Sequence, residues 1–472
     1  MTDIISNAFA FIVLAPIMLA CCIFNIDENK FRKNLSQAYI WTEFFIFVIA
    51  TGLVIAFQNC DVIYGTFLFI PLAINDISVY FSELVATLFL LSSLIAYDEP
   101  ISNFKKNIIG LALLESTLFL FFNTNDIAAF FILLELISLP IIIFLKQTLI
   151  IYCMFIVSGF ALFSMAYITG ITNIYEISIL LKYTFNMHEE RIIFILFFLT
   201  FMFKSVVLPI YFWIKKITET IPIYLSVILY GVIFNTGTYG IITVLQKVSP
   251  MICYELQNTI YVFALGLIIY SMIFIFRKFE IEKNAIPGIF IFLTAFELIG
   301  AFSQNIYGVT GTIFCSIFFG IALPTLMLIN EIFENKYRKK FKFLTSNSSQ
   351  KSASQALILL FPLAILTFSP ILPSFLGIFL ILYSCIIKNL VLSVLLSLTI
   401  AINTFHLFQY FSKYFLQEIT LDIINISKSQ YACFILTSGF FLILSFYSTD
   451  LCDSIRLYLQ NNLTPFMDAL HG

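Results

Sequence analysis

The chain is dominated by apolar runs of membrane-spanning length, separated by short polar connections. A helix needs about 20 apolar residues to cross the core of a bilayer, and about fourteen such runs follow one another along this sequence. They lie near residues 4–24, 38–58, 76–97, 105–123, 126–145, 148–170, 191–208, 221–246, 258–276, 286–302, 306–330, 355–385, 389–412 and 431–449. The pattern predicts an all-α polytopic membrane protein, whose first run is a transmembrane helix rather than a cleaved signal.

The distribution of basic residues predicts the orientation of these runs. Most basic residues follow odd-numbered runs, as Lys105 and the cluster at 336–342 do, while the loops after even-numbered runs up to that cluster hold only Lys182, Arg191 and Lys247. The positive-inside rule then places the odd loops in the matrix or cytoplasm, and both termini on the other side. The longest polar stretch, 331–355, is basic and then Ser-rich, which predicts a flexible solvated loop.

Composition supports a membrane protein and narrows its origin. The chain is 61% hydrophobic and 11% charged, far below the charged share of about a quarter in soluble domains. A formal net charge of −2 argues against a nucleic-acid partner, and the nine cysteines show no metal-ligand spacing, so we expect neither disulfides nor a bound metal. Fifty-seven phenylalanines, with abundant Ile, Asn and Tyr, suggest A+T-rich coding, as in organellar genomes, with a bacterial origin as the alternative.

One lysine stands inside an apolar run that a proline then interrupts. Lys204 lies in the run that begins near residue 192, and a charge in the bilayer centre costs about 2.5–3.5 kcal/mol on the lenient insertion scale, so such residues are usually functional. Pro209 removes a backbone donor five residues later, which predicts a kinked or broken helix. Broken helices beside buried charges are typical of ion paths.

Glu135, like Lys204, is a charged residue inside an apolar run, at 126–145. If it lies on a helix next to Lys204, each charge reduces the other's penalty, and the pair becomes a candidate gating element. A static buried ion pair is the alternative. Asp126, at the start of the same run, is predicted to cap its helix.

Further charged or titratable residues within or near apolar runs are Glu115, Glu297, Lys388 and His406. Each could pair locally or extend its charged end to the interface, and none is singled out by sequence alone. His188 stands beside three charged residues and is expected in a solvated loop.

Several motifs, in register with one another, resemble the subunit 4 family of mitochondrial NADH:ubiquinone oxidoreductase, respiratory complex I. That family has an acid, a glutamate nine residues later and a proline five further on, and later a lysine nine residues before a tryptophan. The most specific match is FSQNIYGVTG at 302–311, against F-S-x-N-I-x-G-x-x-G in the family. The likeness covers about residues 70–415. The remaining matching positions and segments are Asp126, Glu135 and Pro140; Lys204 and Trp213; FNTGTYG at 234–240; Lys283; NDISVYFSELVATLF from Asn75; and FSPILPSFLGIF from Phe368.

The resemblance implies an antiporter-like fold with two inverted five-helix repeats, each containing a broken helix. The implied divisions are N-terminal helices at 1–104, a first repeat at 105–250, a second repeat at 251–415, and a C-terminal helix and tail at 416–472. The implied breaks are at Pro209, Pro370 and Pro373.

The resemblance also implies a function: a membrane-arm subunit that contributes to proton translocation coupled to electron transfer from NADH to ubiquinone. Glu135 and Lys204 would form its gating pair, with Lys283 and Asn235 on a hydrated path. NADH, FMN, iron–sulfur clusters and ubiquinone would be bound by other subunits, and none by this chain. The implied partners are neighbouring membrane-arm subunits and lipids. The implied location is the mitochondrial inner membrane, and because no Arg-rich presequence precedes the first run, the chain is expected to be organelle-encoded.

The sequence departs from the family at most of its ionisable positions. A lysine of the family falls on Asn235, two histidines fall on Leu293 and Phe319, and a glutamate falls on Ile378. Asparagine can hydrogen-bond water but cannot store a proton at working pH.

Three interpretations follow. Proton translocation persists, with Glu297 or Lys388 as substitutes; the chain is a degenerate scaffold of the same complex; or it is a stand-alone cation/proton antiporter of the related multisubunit type. The motif at 302–311 weighs against the third.

Overall fold

A computed structural model gives the fold of this chain. The described residues are 2–26, 28–57, 62–67, 69–98, 104–139, 148–180, 183, 185–205, 221–277, 285–340, 374–416, 427–446, 451–456 and 459. Within them the chain is predominantly helical, as the apolar runs predict. The chain divides into two compact units. The first comprises Met1–Ser205, Val232–Leu256 and Asp453–Gly472, and the second comprises Val206–Gly231 and Gln257–Cys452.

The first unit begins with four long helices and a hairpin. The helices are α1 (Thr2–Phe24), α2 (Glu28–Phe57), α3 (Asp76–Asp98) and α4 (Phe104–Asn123). Each buries an apolar face: α2 packs on α3, and α1 packs on both α2 and α4. Between α2 and α3, the antiparallel strands β1 (Ile63–Phe67) and β2 (Ile70–Ile74) pair with Ile63 opposite Ile74.

The first unit continues with α5 (Ile127–Leu136), α6 (Thr148–Thr172), the short α7 (Ile177–Leu180) and α8 (Met187–Lys204). Aromatic rings of α4, α5 and α8 pack against one another in its core. The rings of Phe131 and Phe197 lie 4.9 Å apart, and those of Phe121 and Phe130 lie 4.6 Å apart. This packing brings the C-terminal turns of α5 and α8 together.

One apolar segment, Ile223–Val248, alternates between two helix types. It contains α9 (Ile223–Ile228), a π-helical stretch Leu229–Ile233, α10 (Asn235–Gly240), a second π-helical stretch Ile241–Leu245, and α11 (Gln246–Val248). The short helix α12 (Pro250–Glu255) follows. A π-helical turn adds a residue without ending the helix, and such turns are frequent at functional sites.

The described part of the second unit consists mainly of six helices. They are α13 (Gln257–Arg277), α14 (Ala285–Ala301), α15 (Ile306–Lys340), α16 (Ser374–Lys388), α17 (Leu390–Leu416) and α18 (Lys428–Phe446). Helices α15 and α16 approach closely through facing glycines, since a Cβ at Gly311 would lie 2.6 Å from the Gly377 carbonyl oxygen. Small residues permit such close helix packing in membranes.

The prediction of an all-helical membrane protein is confirmed in outline. Six helices in the described part of the chain are long and apolar enough to span a membrane. The two-stranded hairpin is an exception that the apolar runs did not predict.

The polar stretch 331–355 was predicted to be a flexible loop, and this is wrong for its first part, because α15 continues to Lys340. The reason is local, since Glu, Lys and Arg are good helix formers and prolong a helix beyond its apolar span. Residues 341–355 lie outside the described residues.

Candidate functional site

Lys204 and Glu135 form an ion pair where two helices of the first unit end. The distance from Lys204 Nζ to Glu135 Oε1 is 3.0 Å, and the two side chains are only 10% and 16% exposed. Lys204 is the last residue of α8, where the negative end of the helix dipole stabilises a cation. Glu135 is next to last in α5, where a carboxylate meets the same negative end unfavourably unless a cation offsets it.

Lys204 also satisfies polar atoms that the end of α5 leaves open. The Ser138 N–H turns to the Glu135 carbonyl oxygen at 2.9 Å, one residue short of the α-helical partner, Leu134. The Leu134 carbonyl oxygen instead accepts a hydrogen bond from Lys204 Nζ at 3.0 Å, and the Ser138 hydroxyl accepts another at 2.6 Å. Two neutral oxygens and one carboxylate oxygen therefore surround the ammonium group. This is the arrangement that a buried lysine needs to remain charged.

Two glycines in α10 allow this segment to lie directly against the end of α8. A Cβ at Gly237 would overlap the Phe201 carbonyl and lie 2.7 Å from the Ser205 amide nitrogen, while a Cβ at Gly240 would overlap the Phe201 ring. Asn235 begins the same short helix and is buried at 4% exposure. The predicted candidate Asn235 thus lies on the segment that packs against the helix bearing Lys204.

Asp126 caps α5, as its position predicts. Its carboxylate accepts a hydrogen bond from the Ala129 N–H at 2.6 Å, and its backbone is extended, as at an N-cap. The predicted capping role is confirmed, and α5 therefore has a fixed start, which sets the position of Glu135 along it.

Two charged residues at the start of α8 fix the neighbouring α12. Glu190 Oε1 accepts hydrogen bonds from the N–H groups of Met251 and Ile252 at 2.8 and 3.1 Å, which are free donors in the first turn of α12. Arg191 pairs with Glu255 at 3.0 Å on the exposed surface.

His188, exposed as expected, lies in the first turn of α8 rather than in a loop.

In the second unit, the family's ionisable positions are occupied by buried apolar side chains. Leu293, Phe319 and Ile378 are 3%, 4% and 1% exposed. Glu297 lies one helical turn after Leu293 on α14 and is itself 2% exposed. Its backbone carbonyl oxygen accepts a hydrogen bond from the Thr312 hydroxyl on α15 at 3.2 Å. A carboxylate thus lies near the position from which a histidine is missing.

Lys388, the other proposed substitute, lies at the last residue of α16. Its Nζ donates a hydrogen bond to Gln257 Oε1 at 3.2 Å, and Gln257 Nε2 donates to the Phe302 carbonyl oxygen at 2.7 Å. These contacts join the ends of α13, α14 and α16. The residue is exposed and ends its helix, so it lies outside the buried core of the second unit.

Four predicted site residues lie outside the described residues: Lys283, Pro209, Pro370 and Pro373. Sequence reasoning missed Glu43 and Glu83, and passed over Glu115. All three are buried glutamates of the first unit. The available signal was a single acid in an apolar run.

The long apolar helices define a polytopic membrane protein, and the comparisons place it in the antiporter-like class. The family model described as NADH:quinone oxidoreductase/Mrp antiporter, transmembrane, matches residues 117–403. The match covers more than half of the chain, which therefore belongs to this family. The resemblance seen in the sequence motifs is confirmed.

Both a curated relative and solved structures agree with this assignment. The chain is 24% identical over 409 residues to NADH-ubiquinone oxidoreductase chain 4 of Marchantia polymorpha, covering 82% of each chain. It shares the fold of a chain of respiratory complex I from Thermus thermophilus, with TM-score 0.81, 15% identity, and 97% and 99% of the two chains covered. It also shares the fold of a chain of the Mrp complex from Dietzia sp., with TM-score 0.79, 12% identity, and 98% and 99% covered.

Proposed function

We propose that this chain is a membrane-arm subunit of respiratory complex I and contributes to proton translocation driven by electron transfer from NADH to ubiquinone. The single observation that carries this proposal is the buried ion pair of Lys204 and Glu135. Both residues occupy positions that correspond to the family's charged pair, and both are held by helix ends rather than by mobile loops.

The ion pair is suited to gating because Glu135 can be neutralised without leaving Lys204 unpartnered. When Glu135 binds a proton, Lys204 retains hydrogen bonds to Leu134 and Ser138 and does not become an orphan charge. The pair can therefore open without unfolding its surroundings, and a neighbouring charge can bias the equilibrium.

The finer architecture belongs to the same proposal. About fourteen spans form two inverted repeats, at 105–250 and 251–415, with breaks at Pro209 and at Pro370 to Pro373. The chain lies in the mitochondrial inner membrane beside other antiporter-like subunits and lipids, and it is organelle-encoded. NADH, FMN, iron–sulfur clusters and ubiquinone are bound by other subunits, so the chain itself performs no redox chemistry. Lys283 is assigned to the hydrated path with Asn235.

The second candidate function is a scaffold of the same complex, and the apolar residues of the second unit favour it. Leu293, Phe319 and Ile378 are buried and apolar where the family has titratable groups. Because such side chains neither carry a proton nor hold water, a path there depends on Glu297 and on polar groups around it.

The fold alone does not separate a complex I subunit from a stand-alone antiporter, because the two structural likenesses are nearly equal. The name of the curated relative, which covers most of both chains, favours complex I. Purification of the chain with NADH-oxidising activity tests this point, and purification without that activity favours the antiporter.

The deciding experiment is the number of protons moved per NADH oxidised by the intact complex in sealed vesicles. The reference is a complex whose subunit 4 keeps the full charged chain. An equal ratio supports translocation through this subunit. A lower ratio, unchanged by Glu135→Gln, identifies a scaffold and overturns the translocation role.

A further inference from the structure

Two glutamates on neighbouring helices of the first unit are fully buried without a cation. Glu43 lies near the middle of α2 and Glu115 near the middle of α4, and both are 0% exposed. Helices α2 and α4 pack together within the first unit. A position near the middle of a spanning helix places a side chain at the depth where water is scarcest.

The two carboxyl groups lie within hydrogen-bonding reach of each other. None of their four oxygens receives a hydrogen bond from a donor among the described residues. Among the described residues, neither glutamate forms an ion pair with a basic side chain. A hydrogen bond between two carboxyl groups needs a donor, and only a bound proton supplies one.

Two ionised carboxylates at this depth would add mutual repulsion to the cost of burying each charge. A proton removes both costs at once, because it cancels a charge and turns one acceptor into a donor. The resulting hydrogen bond, from a carboxylic acid to a carboxyl oxygen, is of the strong, short kind if the second group remains ionised.

We propose that Glu43 and Glu115 form a proton-binding pair within the N-terminal helices that holds at least one proton in the resting protein. The O–H bond lies on one carboxyl group and its hydrogen bond points to the other. This site is separate from Lys204 and Glu135, and its occupant is a proton rather than a metal or an organic ligand.

The test is vibrational spectroscopy of the intact complex, which separates protonated carboxyl groups from carboxylates by their stretching bands. Spectra are recorded without turnover, so the result does not depend on whether the chain translocates protons. The double variant Glu43→Gln with Glu115→Gln is expected to lose one or two protonated-carboxyl bands relative to the unmodified complex. Loss of carboxylate bands alone would overturn the proposal.

A matched control and two single variants make the assignment specific. Glu83 on α3 is 4% exposed, and Glu83→Gln should leave the bands lost in the double variant unchanged. Each single variant keeps a glutamine–glutamate pair, which supplies its own donor and preserves assembly if the double variant fails to assemble. The remaining glutamate's band should then shift, because its neighbour has become an amide. An unshifted band in both single variants would also contradict the pair.

Discussion

Lys204 Nζ lies 3.0 Å from Glu135 Oε1, at the point where the helices carrying the two residues both end. A carboxylate at the C-terminal end of α5 is destabilising by itself, whereas an ammonium group at the C-terminal end of α8 is stabilising. The ion pair therefore offsets the unfavourable charge on α5 with the lysine of α8. The same lysine donates a hydrogen bond to the Leu134 carbonyl oxygen, which the tightened last turn of α5 leaves without a backbone partner. Ion pairing and helix termination therefore depend on each other.

Removing only one member of this pair should be more harmful than removing both. Lys204→Met leaves a buried carboxylate uncompensated, and breaking a buried pair in this way costs about 3–5 kcal/mol. Adding Glu135→Gln removes the stranded charge and should recover much of that loss. The amount of assembled complex and its thermal inactivation temperature measure this in a double-mutant cycle. Equal losses in the single and double variants would show that the pair contributes nothing to stability.

Close packing of α10 on α8 should make Gly237 intolerant of any side chain. Gly237→Ala places a methyl group against the Phe201 carbonyl and the Ser205 backbone, and overpacking of this kind costs about 1–3 kcal/mol. Gly266 on α13 has no atom within 4 Å of its Cβ position, so Gly266→Ala is the matched control and should be neutral or slightly stabilising. Thermal inactivation of the two variants compares them directly, and equal midpoints would contradict the packing argument.

The sequence was sufficient for features that depend on local pattern. The positions of Asp126 and Lys204 within apolar runs predicted a helix cap and a functional buried charge, and the structure shows the cap and a partner for the charge. The role of that charged pair remains a prediction.

Features that depend on packing between distant segments could not be predicted from the sequence. The Glu190 bonds to Met251 and Ile252 join segments about sixty residues apart, and no local periodicity encodes them. The glutamates of α2 and α4 meet only because two helices pack, so each alone resembled an isolated acid. The π-helical turns around α10 are also a packing outcome, since the apolar run 221–246 fits a plain α-helix equally well.

Adjacent residues at the start of α8 should differ sharply in their effect on stability. Glu190→Ala leaves two N–H groups of α12 without their acceptor, one of them in the buried residue Ile252, at a cost of about 1–3 kcal/mol. Arg191→Ala breaks a pair whose side chains are 59% and 49% exposed, and such surface pairs contribute at most about 1 kcal/mol. Thermal inactivation of the two variants should therefore rank Glu190→Ala well below Arg191→Ala. The reverse order would show that the surface ion pair, not the capping carboxylate, fixes α12.

Glu297 should take up and release the protons that pass through the second unit. It is a buried carboxylate one turn from Leu293, where the family has a histidine, and the helices that pack on α14 carry the apolar Phe319 and Ile378 at other lost positions. Glu297→Gln keeps the shape and hydrogen-bonding capacity of the side chain but cannot take up a proton. The variant should therefore oxidise NADH yet move fewer protons per NADH in sealed vesicles, whereas Glu255→Gln, an exposed acid of the first unit, should leave the ratio unchanged. An unchanged ratio for Glu297→Gln would mean that protons do not pass through this carboxylate, and the buried apolar residues around it would then indicate a second unit that serves as a scaffold.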